Sequence, residues 1–462
     1  VNRLQQNIVW GQRGNFLDVP TDTPARDERL GWTGDAQAFS PTAAFNYDVD
    51  GFFSKWLADL AAAQKANGAV PMVIPDVLSR HQAVGSSSSG WGDVATIVPW
   101  NVFLAYGDTA LLARQYPSMK AFVEYERAQA GDDGVWTGGF HFGDWLAFAT
   151  TRSDYPGATT DKDLLATAFF AHSTDLLSRA AAVLGKTEEA AAYRALFQKT
   201  RAAFDREFVT PSGRVASNTQ TAYALALSFD LLPDSLRAQA GQRLADDVHQ
   251  FGHLTTGFLG TPYLNFALAR TGHLADAYQL LLRREYPSWL YPITRGATTM
   301  WERWDGIKPD GSFEDVGMNS FNHYAYGAIG EWMYRTVAGI DLDSSQPGYK
   351  HILIQPRPGG NLTWARATLQ TQYGEVGSAW KLEGQRFQLD ARVPPNTHAT
   401  VRLPAATLAQ VSESGAPLAR SAGVRGATQL GDAVVLEIGS GDYSFSYPAA
   451  ALAAKPASAG GR

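Results

Sequence analysis

The chain has 462 residues, 45% hydrophobic and 18% charged, which excludes global disorder and exceeds the size at which a single core stops growing, so two domains are expected. The net charge of −6, from 39 basic and 45 acidic residues, provides no basic footprint for a phosphate backbone, and no nucleic-acid partner is expected. The absence of cysteine removes disulfides, thiolate nucleophiles and sulfur-ligated zinc. No apolar run approaches the roughly 18 residues of a membrane span, so no membrane partner is expected either. The first residues lack the charged and apolar regions of a leader, and with Val1 at the start a cytoplasmic and a periplasmic location both stay open, as does the oligomeric state.

From about residue 48 to 338 apolar positions recur at helical spacing. In 52–63 they are Phe52, Phe53, Trp56, Leu57 and Leu60, with Asp48 and Asp50 upstream as caps. The same pattern predicts helices over 108–129, 161–184, 187–208, 218–231, 235–249, 262–271, 273–286 and 318–337, with less periodic ones at 35–45 and 95–107. Short breakers such as Gly185-Lys186 and Pro233-Asp234 join antiparallel neighbours, and about eleven helices fit six hairpins wound into a toroid better than a four-helix bundle. After Asp341 the pattern becomes β-rich, with strands expected at 351–355, 367–373, 378–382, 386–391, 400–403, 433–437 and 443–447, an antiparallel sandwich. The boundary is placed at 343/344, and 448–462, rich in Ala, Pro, Gly and Ser, is expected to be a disordered tail.

Several familiar signals fail. Gly185-Lys186-Thr187 lacks the upstream Gly of a phosphate loop, and Asp48-Val49-Asp50-Gly51 lacks the spacing and closing Glu of a calcium loop. Gly85 to Gly90 does not have nucleophile-elbow spacing, and the sequon at Asn361 is common by chance. The nine histidines form no dense cluster, so neither a metal nor another cofactor is implied.

The aromatic residues are more informative. Of 13 Trp, many neighbour Gly or a carboxylate, as in Gly31-Trp32, Trp91-Gly92-Asp93, Asp144-Trp145, Trp301-Glu302 and Trp304-Asp305. Flat aromatic faces beside hydrogen-bond acceptors suit a sugar ring, which has an apolar C–H face and a rim of hydroxyls. Two segments concentrate the charge. Residues 22–35 hold Asp22, Arg26, Asp27, Glu28, Arg29, Trp32 and Asp35, broken by Pro24 and Gly31, which a solvated loop with salt bridges explains about as well as a site. In 295–306, Glu302 lies between Trp301 and Trp304, and burying such a Glu without function would be costly.

Together these segments resemble the signature regions of bacterial α-L-rhamnosidases of glycoside hydrolase family 78. The resemblance extends to 7–16, 91–100, 143–147, 286–291 and 317–324. It implies an (α/α)6 barrel followed by a C-terminal β-sandwich, and exo-acting, inverting release of terminal α-L-rhamnose from a plant glycoside or polysaccharide, so that a rhamnose-containing carbohydrate is the expected partner. By the same resemblance Glu28 is the general acid and Glu302 the general base. Asp22, Arg26, Asp35 and His323 match positions that bind sugar hydroxyls, and Trp32, Trp91 and Trp145 match aromatic walls. Asp22, Asp27 and Asp35 are expected to raise the acid's pKa, and Arg295 and Arg303 to keep the base ionised. Thr23 and Ala25 depart from the family's usual Cys and Gln, outside the catalytic roles. Residues 1–7 look like the end of the first barrel helix, which suggests the C-terminal part of a longer protein or a short form with an incomplete first hairpin. An inactive carbohydrate-binding remnant and a different inverting (α/α)6 glycosidase are the alternatives. A lyase is disfavoured because it would need a Tyr or His base and cations for a uronate. The loops at 82–92 and 150–160 are expected to shape the cleft mouth.

Overall fold

In a computed structural model of the protein, residues 1–79, 87–148 and 160–453 are described. The Gly85 end of the serine-rich run, most of the 150–160 loop and the tail beyond residue 453 lie outside them. Two compact units result, one comprising 1–43, 49–101 and 109–329, the other 44–48, 102–108 and everything from Gly330 onward.

The first unit alternates two kinds of helix. The odd-numbered helices, α1 (Asn2–Asn15), α3 (Asp50–Ala63), α5 (Thr109–Ala130), α7 (Thr187–Phe208), α9 (Asp234–Phe251) and α11 (Leu274–Leu282), bury one stripe and expose the rest. In α7 the stripe is Tyr193, Phe197, Thr200, Phe204 and Phe208, successive steps of three or four residues. The even-numbered helices, α2 (Thr33–Asn46), α4 (Val94–Tyr106), α6 (Lys162–Val183), α8 (Gln220–Ser228) and α10 (Thr261–Arg270), are buried on nearly every side. A helix apolar all round must be surrounded, so these form the inner layer of a helical barrel and the amphipathic ones its outer layer. Asp161 caps α6 by accepting from Leu164 N at 2.9 Å, and Thr219 caps α8 by accepting from Ala222 N at 3.2 Å.

Four expected helices come out differently: that of 273–286 ends at Leu282 and that of 218–231 at Ser228, and two others depart further. The N-terminal helix runs on to Asn15 instead of ending near Asn7. The single helix expected over 318–337 is broken into a 3₁₀ turn at Val316–Met318, an irregular stretch, a second 3₁₀ turn at Ala325–Ala328, one α turn at Ile329–Trp332 and a π-helical turn at Met333–Ala338. The cause lies at residues 320–323, whose backbone pairs with 300–302 instead of with itself: Glu302 N donates to Ser320 O, and His323 N to Met300 O, both at 2.9 Å.

The second unit is a sandwich of two sheets. Its strands are β1 (Ile340–Leu342), β2 (His351–Ile354), β3 (Trp364–Thr371), β4 (Gly374–Glu383), β5 (Arg386–Val393), β6 (His398–Leu403), β7 (Ser412–Glu413), β8 (Ala416–Pro417), β9 (Val424–Leu430), β10 (Ala433–Ile438) and β11 (Gly441–Pro448). They pair in the orders β1-β2-β6-β10-β9 and β3-β4-β5-β11-β7-β8, all antiparallel except β2 with β6. Alternation sets the faces: in β5, Phe387, Leu389, Ala391 and Val393 are buried, whereas Arg386, Asp390 and Arg392 are exposed. The expected boundary at 343/344 falls between β1 and β2, which pair with each other. Four strands went unread: β1, β7 and β8 are too short to alternate, and β9 is mostly exposed. Pro448 ends β11 and Ala450–Ala453 form one helical turn, so the expected tail does not begin at 448.

Trp380 anchors this core, stacked 5.8 Å from Phe387 and donating its indole N–H to Val337 O at 2.7 Å. Trp380→Ala is predicted to cost about 3–5 kcal/mol in chemical denaturation, and a loss under about 1 kcal/mol would contradict this packing.

Candidate functional site

Nearly every residue of the site lies in a connection from an outer helix to the next inner one. Loop 22–32 and the first turn of α2 bring Asp22, Arg26, Glu28, Trp32 and Asp35; the turn before α4 brings Trp91; the segment before α6 brings Phe142 and Trp145; the turn before α10 brings Phe258. The last such connection, leading to Ala325–Ala328, brings Glu302, Met318 and His323.

Local bonding explains each placement. Asp22 and Leu30 clasp the first loop twice: Asp22 N donates to Leu30 O and Leu30 N donates to Asp22 Oδ1, both at 2.9 Å. Thr33 N and Ile74 N then stitch the following residues to Met72 O and Gly31 O at 2.9 Å. Asp93 orders the turn that carries Trp91 by accepting from Gly90 N at 2.7 Å and Ser173 Oγ at 2.6 Å. A Cβ at Gly34 would lie 2.4 Å from the Trp91 ring, so only glycine lets that indole lie against α2. Behind Trp145, the buried Asp144 accepts from Thr221 Oγ1 and from Gly257, Leu259 and Gly260 N at 2.5 to 3.0 Å, tying two connections together. Trp304 donates to Thr256 O at 2.8 Å, fixing the chain next to Glu302.

The result is a cavity of about 110 Å³ lined by Asp22, Glu28, Trp32, Asp35, Trp91, Phe142, Trp145, Phe258, Glu302, Met318 and His323. Its volume is of the order of the roughly 150 Å³ cavity that takes one benzene ring, so it is scaled to a single six-membered ring. All the residues expected from the sequence meet here, with Arg26 joining through its ion pairs. Its guanidinium is shared: Nη1 pairs with Glu28 Oε2, and Nη2 lies 3.3 Å from each oxygen of Glu302. Glu28 also accepts from Trp32 Nε1 at 2.7 Å, and His323 Nε2 lies 2.9 Å from Asp35 Oδ1.

The expected charge partners need correction. Arg303 does not attend Glu302; it binds Asp305 at 2.9 Å and approaches Glu314 at 3.8 Å. Arg295 donates to Tyr291 Oη at 2.9 Å and Pro309 O at 2.8 Å. Asp27 is fully exposed and pairs with Arg29, leaving Asp22 and Asp35 as the carboxyls that share the pocket with Glu28. The cations that face Glu302 are those of Arg26 and His323.

Burial raises the Glu302 carboxyl above its ordinary value, with His323 and Arg26 pulling it back. Burial pushes Asp22 up to about 8, opposed by His323 and reinforced by Asp35 and Glu28, which favours its neutral form near pH 7. Burial works against the charge of His323, but its hydrogen bond and ion pair with Asp35, with Glu302 and Asp22 adding, hold its pKa up to about 9. Two buried donors, Trp91 Nε1 and Arg26 Nε, have no acceptor, which costs about 1–3 kcal/mol each unless a ligand supplies one. The site therefore offers carboxyl groups, an imidazole and aromatic walls, groups that suit a neutral polyhydroxylated ring. Sequence reading missed Phe142, Phe258 and Met318 as lining residues; Met318 lies inside the family-like run 317–324 and Phe142 directly precedes the run 143–147, whereas Phe258 carried no signal. Among the described residues no group of side chains could hold a metal ion, and no helix is long and apolar enough to cross a membrane.

Comparison with known proteins gives a consistent picture. Residues 1–337 match the family model of the bacterial alpha-L-rhamnosidase 6 hairpin glycosidase domain, and 339–416 that of the bacterial alpha-L-rhamnosidase C-terminal domain. An alpha-L-rhamnosidase of Streptomyces avermitilis is 46% identical over 447 residues, 96% of this chain and 41% of the relative. One from Formosa agariphila is 47% identical over 407 residues, 87% of this chain and 43% of the relative. The chain thus spans less than half the length of these curated relatives. The crystal structure of the Streptomyces avermitilis enzyme complexed with L-rhamnose superposes with a TM-score of 0.87, covering 96% of this chain and 41% of that one. The Aspergillus terreus enzyme, 37% identical, gives 0.86, covering 96% of this chain and 49% of that one.

The ion pair makes a pH prediction. His323 holds its proton more tightly folded, at about 9, than at its ordinary 6.5. Its contribution to stability is fully present below pH 6.5 and is lost as pH rises through about 9. Asp22, protonated in the folded chain up to about 8, adds a loss of the same sign. Thermal melts from neutral to alkaline pH should show a steeper fall for the wild type than for His323→Gln, and parallel curves would contradict the pair.

Proposed function

The chain belongs to the bacterial α-L-rhamnosidase family, and we propose that its pocket removes terminal α-L-rhamnose by inverting hydrolysis, with Glu28 as general acid and Glu302 as general base. The observation that carries this reading is the pairing of two carboxylates on one guanidinium inside a ring-sized pocket with aromatic walls.

Exposure supports the assignment of roles. The Glu28 side chain is 21% exposed and that of Glu302 only 4%. The group that protonates a departing aglycone has to stand where the aglycone can leave, and the group that activates water has to hold that water on the far side of the ring. Glu28 therefore gives its proton to the glycosidic oxygen as the bond from the anomeric carbon breaks. Water attacks that carbon from the opposite face and passes a proton to Glu302. Arg26 and the protonated His323 partly offset the burial of Glu302 and so work towards its ionised, basic form. Asp22, Asp35, Arg26 and His323 meet the sugar hydroxyls, and Trp32, Trp91, Trp145 and Phe142 cover the C–H face and the methyl group that distinguishes rhamnose. The substrate is accordingly a terminal rhamnoside of a plant glycoside or polysaccharide.

Release of p-nitrophenol from p-nitrophenyl α-L-rhamnopyranoside tests the assignment. Glu28→Gln and Glu302→Gln should each lower kcat by about 10²–10⁴-fold while leaving the fold intact. Activity persisting in both variants would overturn the roles, and an inactive wild-type chain would favour a binding remnant.

A further inference from the structure

A neutral pair of side chains is buried between the first loop and the last connection. Thr23 and Ser320, 297 positions apart, are 0% and 2% exposed, and their hydroxyl oxygens lie 2.7 Å from each other. The surrounding bonds fix the direction of the proton. Ser320 Oγ donates to Asn322 O at 3.1 Å and accepts from Asn322 N at 3.2 Å, so its single hydrogen is committed and Thr23 is the donor between the two. Asn322 is held in turn by Asn15 Nδ2, which donates to its Oδ1 at 2.9 Å.

Both ends of this bond lead to the reacting groups. Thr23 follows Asp22, whose carboxylate is clasped by Leu30 N, and precedes Arg26 by three residues. Ser320 O accepts from Glu302 N at 2.9 Å. The hydroxyl pair thus connects the loop that carries Glu28 to the backbone partner of Glu302. Two further ties join the same segments: Tyr324 Oη donates to Pro20 O at 3.0 Å, and His323 Nε2 lies 2.9 Å from Asp35 Oδ1. The first ends before Asp22, and the second is made of side chains that line the pocket. Arg26 also spans the gap, but through charge, with Nη2 3.3 Å from the Glu302 oxygens and Nη1 on Glu28. An acid that is to give up a proton must first hold one, and a protonated Glu28 no longer pairs with the guanidinium as an ion. A hydroxyl pair shielded from water keeps its strength through that change.

We propose that Thr23 is a positioning residue for the reaction, and that its hydroxyl, acting through Ser320, sets the separation of Glu28 and Glu302. The proposal rests on the inverting reading above, in which the gap between the two carboxyls must hold a water molecule as well as the ring. Thr23 is not among the residues that line the cavity, so its hydroxyl acts on the geometry of the two carboxyls and not on affinity for the sugar.

The test compares Thr23→Val, which removes the hydroxyl at nearly constant shape, with Thr23→Ser, which keeps it. In Thr23→Val, Ser320 retains both its bonds to Asn322, so no hydroxyl is stranded. On p-nitrophenyl α-L-rhamnopyranoside, Thr23→Val should lower kcat about 10-fold with KM within about 2-fold, and Thr23→Ser should restore kcat to within about 3-fold of the wild type. Ser320→Ala, which keeps the backbone bond to Glu302, should lower kcat to a similar extent, and the double variant should fall no further. An unchanged kcat in Thr23→Val, a kcat in Thr23→Ser as low as in Thr23→Val, or losses that add in the double variant would overturn the positioning role. Should Thr23→Val fail to fold, Ser320→Ala decides: a 10-fold loss of kcat at constant KM upholds the role and a wild-type kcat overturns it. A wild type that releases no p-nitrophenol would instead overturn the rhamnosidase reading, and the role of Thr23 with it.

Discussion

One guanidinium holds the site together. Arg26 and Glu302 are 276 positions apart, and the bond between them joins the first loop of the helical unit to its last. The pocket contains four carboxyls, those of Asp22, Glu28, Asp35 and Glu302, in a setting where an uncompensated charge is expensive. Two cations offset two of these charges, and burial favours the neutral form of Asp22. Arg26 serves Glu28 and Glu302, and His323 serves Asp35 while facing Glu302 and Asp22. Removing either cation would leave a buried charge unmatched and change the protonation of the others.

The scaffold makes this arrangement attainable. Inner helices that are buried on every side cannot carry a polar site in their middles without large cost, but the connections leading into them can. Asp22 and Glu28 before α2, Trp91 before α4, Trp145 before α6, Phe258 before α10, and Glu302 with His323 in the last connection all use this position. Their backbones are fixed by bonds from other connections, such as those from Gly257, Leu259 and Gly260 to Asp144, so the side chains are oriented before any ligand arrives. The irregular path of 316–324 has the same origin: its backbone hydrogen bonds are given to the segment that carries Glu302.

Much of this was legible in the sequence because periodicity reports burial. The stripe of α7 and the alternation of β5 are direct images of one buried face, and their limits came out within a residue or two. The residues of the pocket were legible through the resemblance and through Trp beside carboxylates. What could not be read was pairing in space. Arg303 follows Glu302 in the chain yet binds Asp305, while Arg26, in the first loop, binds Glu302. Phe258 looks like any core residue until the fold turns it towards the cavity, and β7 and β8, two residues each, have no period to detect.

The central claim is that Glu28 and Glu302 act from opposite faces of a single sugar ring, one on the leaving oxygen and one on water. The stereochemistry of the first product tests it most directly. Proton NMR during the earliest turnover of an α-L-rhamnoside should show β-L-rhamnose appearing first, with the α anomer growing in only by mutarotation. Initial appearance of the α anomer would mean that a carboxylate attacks carbon itself, and would contradict the account.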